Sequence, residues 1–401
     1  MTMTSVQTTS QTRMISSYQL RDYQKIAADC ALKAFQRGRK NGLVIVPTGG
    51  GKSWIIAEIA YRLNSPLLVF CPSKEILEQN YEKMNRICPF DCSMYSASVR
   101  SKEISKITFA TIGSVNNHVE DFNCFKYVIV DEAHAVNSES GMYLNFIRAT
   151  NRVVVGFTAT PYRLKSYGDF SVLKFLTRTQ RRVFSEVIFK CQVRELVNKG
   201  YLARLNYYDV TSLDMSRVKS NSTGADYDES SLKEEYNRSG YYQKLSDLVN
   251  RLLRPKSGIP RKGILVFTRF VEEAQFLANT IPDCAIVTGD TPKRERERII
   301  SDFRAGKIKV VSNVNCLSIG FDYPELDTIL IGRPTKSLAL YYQIVGRALR
   351  PSEGKQGWIV DMCGNIRRFG KVEDLEVTEF PKKNNWCVMS NGKVLTNVPL
   401  V

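Results

Sequence analysis

The stretch Leu43-Val44-Ile45-Val46-Pro47-Thr48-Gly49-Gly50-Gly51-Lys52-Ser53 decides the fold. A short β-branched run leads into a glycine loop, and Ile55, Ile56, Ile59, Ala60 and Leu63 follow at helical spacing. In a strand, glycine turn and helix arranged this way, successive backbone N–H groups turn towards phosphate oxygens and the helix N-terminus adds a favourable dipole. Lys52 is therefore expected to reach the β- and γ-phosphates of ATP, and Ser53 to ligate Mg²⁺. The general pattern asks for glycine at position 46, where Val46 stands, and the loop opens with Pro47-Thr48-Gly49 instead.

Working outward, similar apolar runs lie at Leu67 to Cys71, Tyr127 to Val130, Val153 to Phe157, Ile264 to Phe267, Ile308 to Val311 and Thr328 to Ile331. Runs this short and this rich in β-branched residues read as buried parallel strands, and the helical spacings between them make the fold class α/β. Two such series predict two tandem RecA-like doubly wound lobes, with an ATP cleft between them. We expect a disordered arm at 1–14, a first lobe at 15–198, a second at 199–375 and a short C-terminal tail at 376–401. Residues 161–200 carry nine Lys or Arg against three Asp or Glu, and read either as a solvated hinge or as a duplex-facing surface. Residues 212–240 are polar and read as a surface insertion.

The chain has 401 residues and a formal net charge of +17, a field that suits a polyanionic partner. Ten cysteines lack the paired spacing of structural zinc sites, and with only His118 and His134 present a histidine-built metal site is not expected. Reduced thiols fit a cytoplasmic protein. No apolar run reaches the roughly 18 residues of a membrane span.

Asp131 and Glu132 follow the run Tyr127 to Val130, so both carboxylates should emerge at the carboxyl end of a parallel strand, where such sheets bind ligands. Asp131 fits as the magnesium partner and Glu132 as the group that orients and deprotonates an attacking water. Near the far end, Gln343-Ile344-Val345-Gly346-Arg347-Ala348-Leu349-Arg350 sets two arginines one helical turn apart. Such guanidinium groups stabilise the charge that develops on the γ-phosphate, which requires the second lobe to meet the first.

These motifs, with Leu20-Arg21-Asp22-Tyr23-Gln24, Thr158-Ala159-Thr160, Thr288-Gly289-Asp290-Thr291-Pro292 and Gly320-Phe321-Asp322, resemble the superfamily 2 helicases over roughly residues 18–365. Among them the chain is most similar to the bacterial RadD-type DNA-repair ATPases. The resemblance implies that Gln24 reads the adenine edge with Arg21 nearby, and that Gly320 and Asp322 contact the nucleotide. It implies that His134, Thr158 and Thr160 couple hydrolysis to lobe movement. Ser73, Lys74, Thr111, Gly289, Asp290 and Thr291 would hold the backbone of a tracked strand. RadD-type proteins carry a cysteine-rich zinc-binding extension, whereas here only Cys387 follows Cys363. Val314-Asn315 stands where RNA-unwinding relatives carry Thr-Asp, which tilts the expected partner from RNA towards DNA. The expectation is a monomeric ATP-dependent DNA helicase or translocase acting in repair, recombination or replication. An RNA helicase and a non-catalytic nucleic-acid-binding regulator remain the alternatives.

Overall fold

The computed structural model describes residues 19–87, 90–167, 170–256, 258–314 and 323–400. The first sheet contains β1 (Gly42–Ile45), β2 (Leu67–Phe70), β3 (Cys92–Ser96), β4 (Ser101–Lys102), β5 (Ile107–Ala110), β6 (Tyr127–Asp131) and β7 (Val154–Thr158). After a hairpin of β8 (Tyr162–Tyr167) and β9 (Phe170–Phe175), β10 (Glu186–Lys190) completes it. The spatial order is β10-β1-β7-β6-β2-β5-β3-β4. Every pairing in it is parallel except the short β3–β4 edge.

The second sheet holds β11 (Leu205–Asp209), β12 (Ile264–Thr268), β13 (Cys284–Val287), β14 (Val310–Val314), β15 (Thr328–Ile331) and β16 (Gly357–Asp361), in the order β11-β16-β15-β12-β14-β13. It is parallel throughout. Both sheets are buried on two faces by helices, which is why their strands read as continuous apolar runs. Along β12, Leu265 and Phe267 join the larger core, while Ile264 and Val266 point the other way into a second cluster. The expected run Ile308 to Val311 lies two residues early at its start, since β14 begins at Val310.

Three expectations need correction. Residues 212–240 are not merely a surface insertion: Leu213, Val218, Tyr227, Leu232 and Tyr236 are buried in the second cluster with Tyr241 and Leu245. Within this segment the helix Glu229–Ser239 buries Leu232 and Tyr236 together with the polar Ser231 and Glu235, so its sequence looked like a loop. Residues 161–200 are not a hinge either, because they form the hairpin and the edge strand β10 beside β1.

Residues 376–401 are not a simple tail. The strands β17 (Leu375–Glu379), β18 (Trp386–Ser390) and β19 (Lys393–Val394) form an antiparallel sheet. This sheet returns to the first half of the chain: Lys190 Nζ donates to the Val377 carbonyl at 2.7 Å, and Leu400 N donates to the Ser171 carbonyl at 2.8 Å. Among the described residues, no helix is long and apolar enough to cross a membrane.

Candidate active site

β1 delivers the chain to the glycine loop, and the loop turns through left-handed conformations at Gly49 (φ 80°) and Gly51 (φ 79°) that glycine adopts without steric cost. A Cβ at Gly51 would lie 2.5 Å from Gln24 Nε2, so glycine is also required for close approach there. The helix Lys52–Leu63 then starts directly at the loop. Tyr23 Oη and Gln24 Nε2 both donate to the Gly50 carbonyl, at 2.6 and 3.1 Å, and fix the loop from behind.

Lys52 Nζ pairs with Glu132 Oε1 at 2.6 Å. Glu132 itself is left-handed (φ 54°), a costly backbone state for a side chain of this kind, which turns its carboxylate off the end of β6. Its other oxygen lies 3.3 Å from His134 Nδ1, and that nitrogen lies 3.1 Å from the hydroxyls of both Thr158 and Thr160. A continuous polar chain thus runs from Lys52 through Glu132 and His134 to the end of β7.

Electrostatics in this cluster follow from burial against charge. Burial opposes ionisation of Glu132, but Lys52 and His134 outweigh it and hold the carboxyl well below its usual range. Asp131 is raised, by burial first and then by the Glu132 charge. Burial likewise works against the Lys52 ammonium, yet Glu132 and Asp131 together leave its pKa raised. Arg347 acts on Lys52 in the opposite sense, the mark of a second cation in the same cleft.

The cleft wall brings both ends of the sequence together. Thr48, Lys52, Ser53, Asp131, Glu132, His134 and Thr160 line it beside Gln343, Arg347 and Arg350. The helix Leu338–Gly346 comes so close to the loop that a Cβ at Gly346 would lie 2.9 Å from Thr48 Cβ. Arg350 Cγ would lie 3.7 Å from a Cβ at Gly49, so this side chain lies over the loop. Ala203 N donates to the Leu349 carbonyl at 2.8 Å and fastens the segment that follows the helix.

Arg21 and Gln24 sit behind the loop and are absent from the wall. Gln24 is 1% exposed, with Oε1 accepting from Arg21 N at 3.0 Å, while Arg21 Nη1 donates to the Tyr201 carbonyl at 3.1 Å and its guanidinium lies over the Tyr201 ring. Gln24 thus braces the loop, its buried amide satisfied on backbone groups. Gly320 and Asp322, like the arm 1–14 and Asn315, lie outside the described residues.

Asn80 went unnoticed in the sequence. Its Oδ1 accepts from Ser53 Oγ at 2.5 Å and its Nδ2 donates to Asp131 Oδ2 at 2.9 Å, bridging the two residues expected to meet magnesium. Hydroxyl, amide and carboxylate oxygens lying side by side are the donor types suited to a hard divalent cation.

The residues expected to hold a strand are engaged locally. Ser73 Oγ accepts from Ile76 N at 3.4 Å, Thr111 Oγ1 lies 2.8 Å from Ser96 Oγ, and Thr291 Oγ1 accepts from Thr288 N at 2.9 Å. Lys74 pairs with Glu78. The two groups nonetheless approach each other: Glu78, which pairs with Lys74, also acts on the Lys293 ammonium.

Comparison with known proteins fits this geometry. The family described as Type III restriction enzyme, res subunit matches residues 17–163, and the Helicase conserved C-terminal domain matches residues 243–352. A 51.5 kDa protein of Lactococcus phage (isolate 7-9) is 27% identical over 332 residues, covering 81% of this chain and 66% of the phage protein. The Saccharomyces cerevisiae protein IRC3 is 27% identical over 379 residues, covering 88% of this chain and 52% of IRC3. The chain thus spans about half to two thirds of the length of these relatives. The DNA 3'-5' translocase XPB2 of Sulfurisphaera tokodaii is 25% identical over 381 residues, covering 86% of this chain and 81% of XPB2.

Two solved structures share the fold. The DNA-bound Type ISP restriction-modification enzyme LlaBIII aligns with a TM-score of 0.64 at 19% identity, covering 86% of this chain and 28% of that one. S. cerevisiae Dbp5 bound to RNA and ADP BeF3 aligns at 0.54 and 18% identity, covering 84% and 82%. These likenesses establish the tandem RecA-like α/β architecture. The two family matches fall on separate parts of the chain, in the order of the two sheets.

Proposed function

We propose that the chain is the motor of an ATP-dependent DNA helicase or translocase. One observation carries this reading: Lys52, Asp131 and Glu132 share a cleft with Gln343, Arg347 and Arg350, which the sequence separates by more than half its length. A nucleotide-binding protein without work to do needs only the first three. Arginines brought from another part of the chain make hydrolysis depend on how the two halves meet, and so link chemistry to movement.

Lys52 is shared between two duties. Triphosphate oxygens compete with Glu132 for its ammonium, and as Lys52 shifts towards phosphate the Glu132 carboxylate loses its strongest acidifying neighbour and becomes a better base for water. Ser53 and Asp131, with Asn80 between them, would hold Mg²⁺, which neutralises phosphate charge when bound. Arg347 and Arg350 would stabilise the transition state, and the His134, Thr158 and Thr160 cluster would relay the state of the γ-phosphate towards β7. The lobes are taken as 15–198 and 199–375, with 376–401 fastened to the first.

DNA is favoured over RNA by the opening motif at Leu20 to Gln24, by Val314-Asn315 and by the likeness to the DNA translocase XPB2. Similarity to RadD-type ATPases suggests repair as the setting, in the cytoplasm and as a monomer. The decisive experiment measures ATP turnover with single-stranded DNA, duplex DNA, forked DNA and RNA in parallel. Stimulation by DNA with a steep loss of affinity in salt is expected, because each neutralised phosphate releases counterions. Stimulation by RNA alone would overturn the substrate, and equal turnover with every polymer and with none would overturn the motor.

A further inference from the structure

We infer that the β8–β9 hairpin is a stacking platform for unpaired bases of single-stranded DNA, a site apart from the strand-holding residues expected at Ser73, Thr111 and Gly289 to Thr291. The inference rests on the motor reading above. Tyr167 and Phe170 stand on the paired ends of the two strands, 40% and 45% exposed. Their rings stack on each other at 5.4 Å and 15°. Neither ring belongs to the two buried clusters, and a flat aromatic face is what a nucleobase stacks on.

Charge around the rings has the matching sign. Arg163, Lys165, Lys174 and Arg178 line the cavity beside the hairpin, against the single carboxylate of Glu139, which pairs with Lys165. The Lys165 and Lys174 ammonium groups lie 5.2 and 5.9 Å from the Tyr167 ring centre. A polyanion with planar bases satisfies both features at once. An acidic protein segment would use the lysines and leave the ring faces unexplained, while duplex DNA keeps its base faces stacked internally.

The platform has a fixed base. Asn397 N donates to the Leu173 carbonyl at 2.6 Å, Phe175 N donates to Asn397 Oδ1 at 3.0 Å, and Ser171 Oγ donates to the Thr223 carbonyl at 2.6 Å. Arg163 on β8 donates to the carbonyls of His134 and Ala135, at 3.2 and 2.7 Å. The hairpin is thereby hydrogen-bonded to the same loop that carries Glu132 and His134, so a base seated on it is mechanically joined to the nucleotide cleft.

The test compares a fluorescent oligo-dT strand with a strand of equal length carrying abasic sites, both titrated by anisotropy with a non-hydrolysable ATP analogue present. The wild-type chain should prefer the base-bearing strand. Tyr167→Ala with Phe170→Ala should lose roughly tenfold or more on oligo-dT and little on the abasic strand, with the salt slope kept. Lys165→Ala with Lys174→Ala should instead flatten the salt slope by about 1 on both strands. Tyr167→Trp should restore the preference where the alanine variant lost it, showing that a ring and not the local fold is at issue. Equal losses on both strands, or an undiminished preference in the double alanine variant, would overturn the platform while leaving the motor intact. Failure of the wild-type chain to bind any polymer would overturn both.

Discussion

A single methyl group placed at the cleft tests whether close packing of the two halves sets the reach of the arginines. In Gly346→Ala the new Cβ would lie 2.9 Å from Thr48 Cβ, 3.1 Å from its Cγ2 and 3.3 Å from its Oγ1. Ordinary carbon contacts fall at about 3.5 to 4.0 Å, so the helix end and the loop must part by roughly 0.6 Å or more. Thr48 Cβ is attached to the main chain, and no rotamer change removes it from the path. Arg347 follows in sequence and retreats with its neighbour. A misplacement near 1 Å can cost about 100-fold in rate, which puts the expected loss of turnover at about 10- to 100-fold. Helix propensity favours alanine over glycine by about 1 kcal/mol, which offsets part of the packing strain. The assay is steady-state ATP hydrolysis with single-stranded DNA, run also in a Thr48→Gly background that removes all three contacting atoms. There the added effect of Gly346→Ala should shrink to within about threefold, as expected for two residues coupled by contact. A full loss in both backgrounds, or none in either, would refute the packing argument.

Three further outcomes are expected. Glu132→Gln should retain ATP binding by equilibrium titration yet lose turnover by about 100-fold or more, since an amide cannot take a proton from water; near-normal hydrolysis would remove Glu132 from the chemistry. Arg350→Ala should leave ATP affinity nearly unchanged and slow hydrolysis, because its charge is needed chiefly in the transition state, and a parallel loss of affinity would argue for a ground-state role. Glu273 is pushed up to about 8 by burial, so its stabilising proton is held in full below pH 4.5 and is lost as pH rises through 8. Wild-type stability should therefore decline across that window by up to about 5 kcal/mol, read by urea unfolding, and Glu273→Gln should flatten the decline. A wild-type curve that stays flat from pH 5 to 8 would contradict the burial argument.

The α/β class was legible because a strand buried on both faces must be apolar at nearly every position. β2 and β15 declared themselves in that way. Edge strands escaped for the converse reason. β11 (Leu-Asn-Tyr-Tyr-Asp) and β10 (Glu-Val-Ile-Phe-Lys) face neighbours on one side only and keep polar residues. The buried helix Glu229–Ser239 hid because Leu232, Tyr236 and a few polar side chains are all that its inward face needs.

The cleft was legible wherever chemistry fixes spacing along the chain, as in the glycine loop, Asp131-Glu132 and the run Gln343 to Arg350. Asn80 obeys no such rule. It lies mid-helix among polar residues, and only the fold carries it between Ser53 and Asp131, from which it is separated by 27 and 51 residues. Gln24 was noticed for a nucleotide role, and the fold adds bonds to the glycine loop that its sequence position does not announce. Its amide is buried, and a buried amide must bond to something; the Gly50 carbonyl and Arg21 N–H stand within reach and satisfy it. Those two bonds use only part of the amide's donor and acceptor capacity, so bracing the loop and meeting a further ligand are not exclusive. The set of the glycine loop therefore depends on a side chain 26 positions before Gly50 that no local rule ties to it.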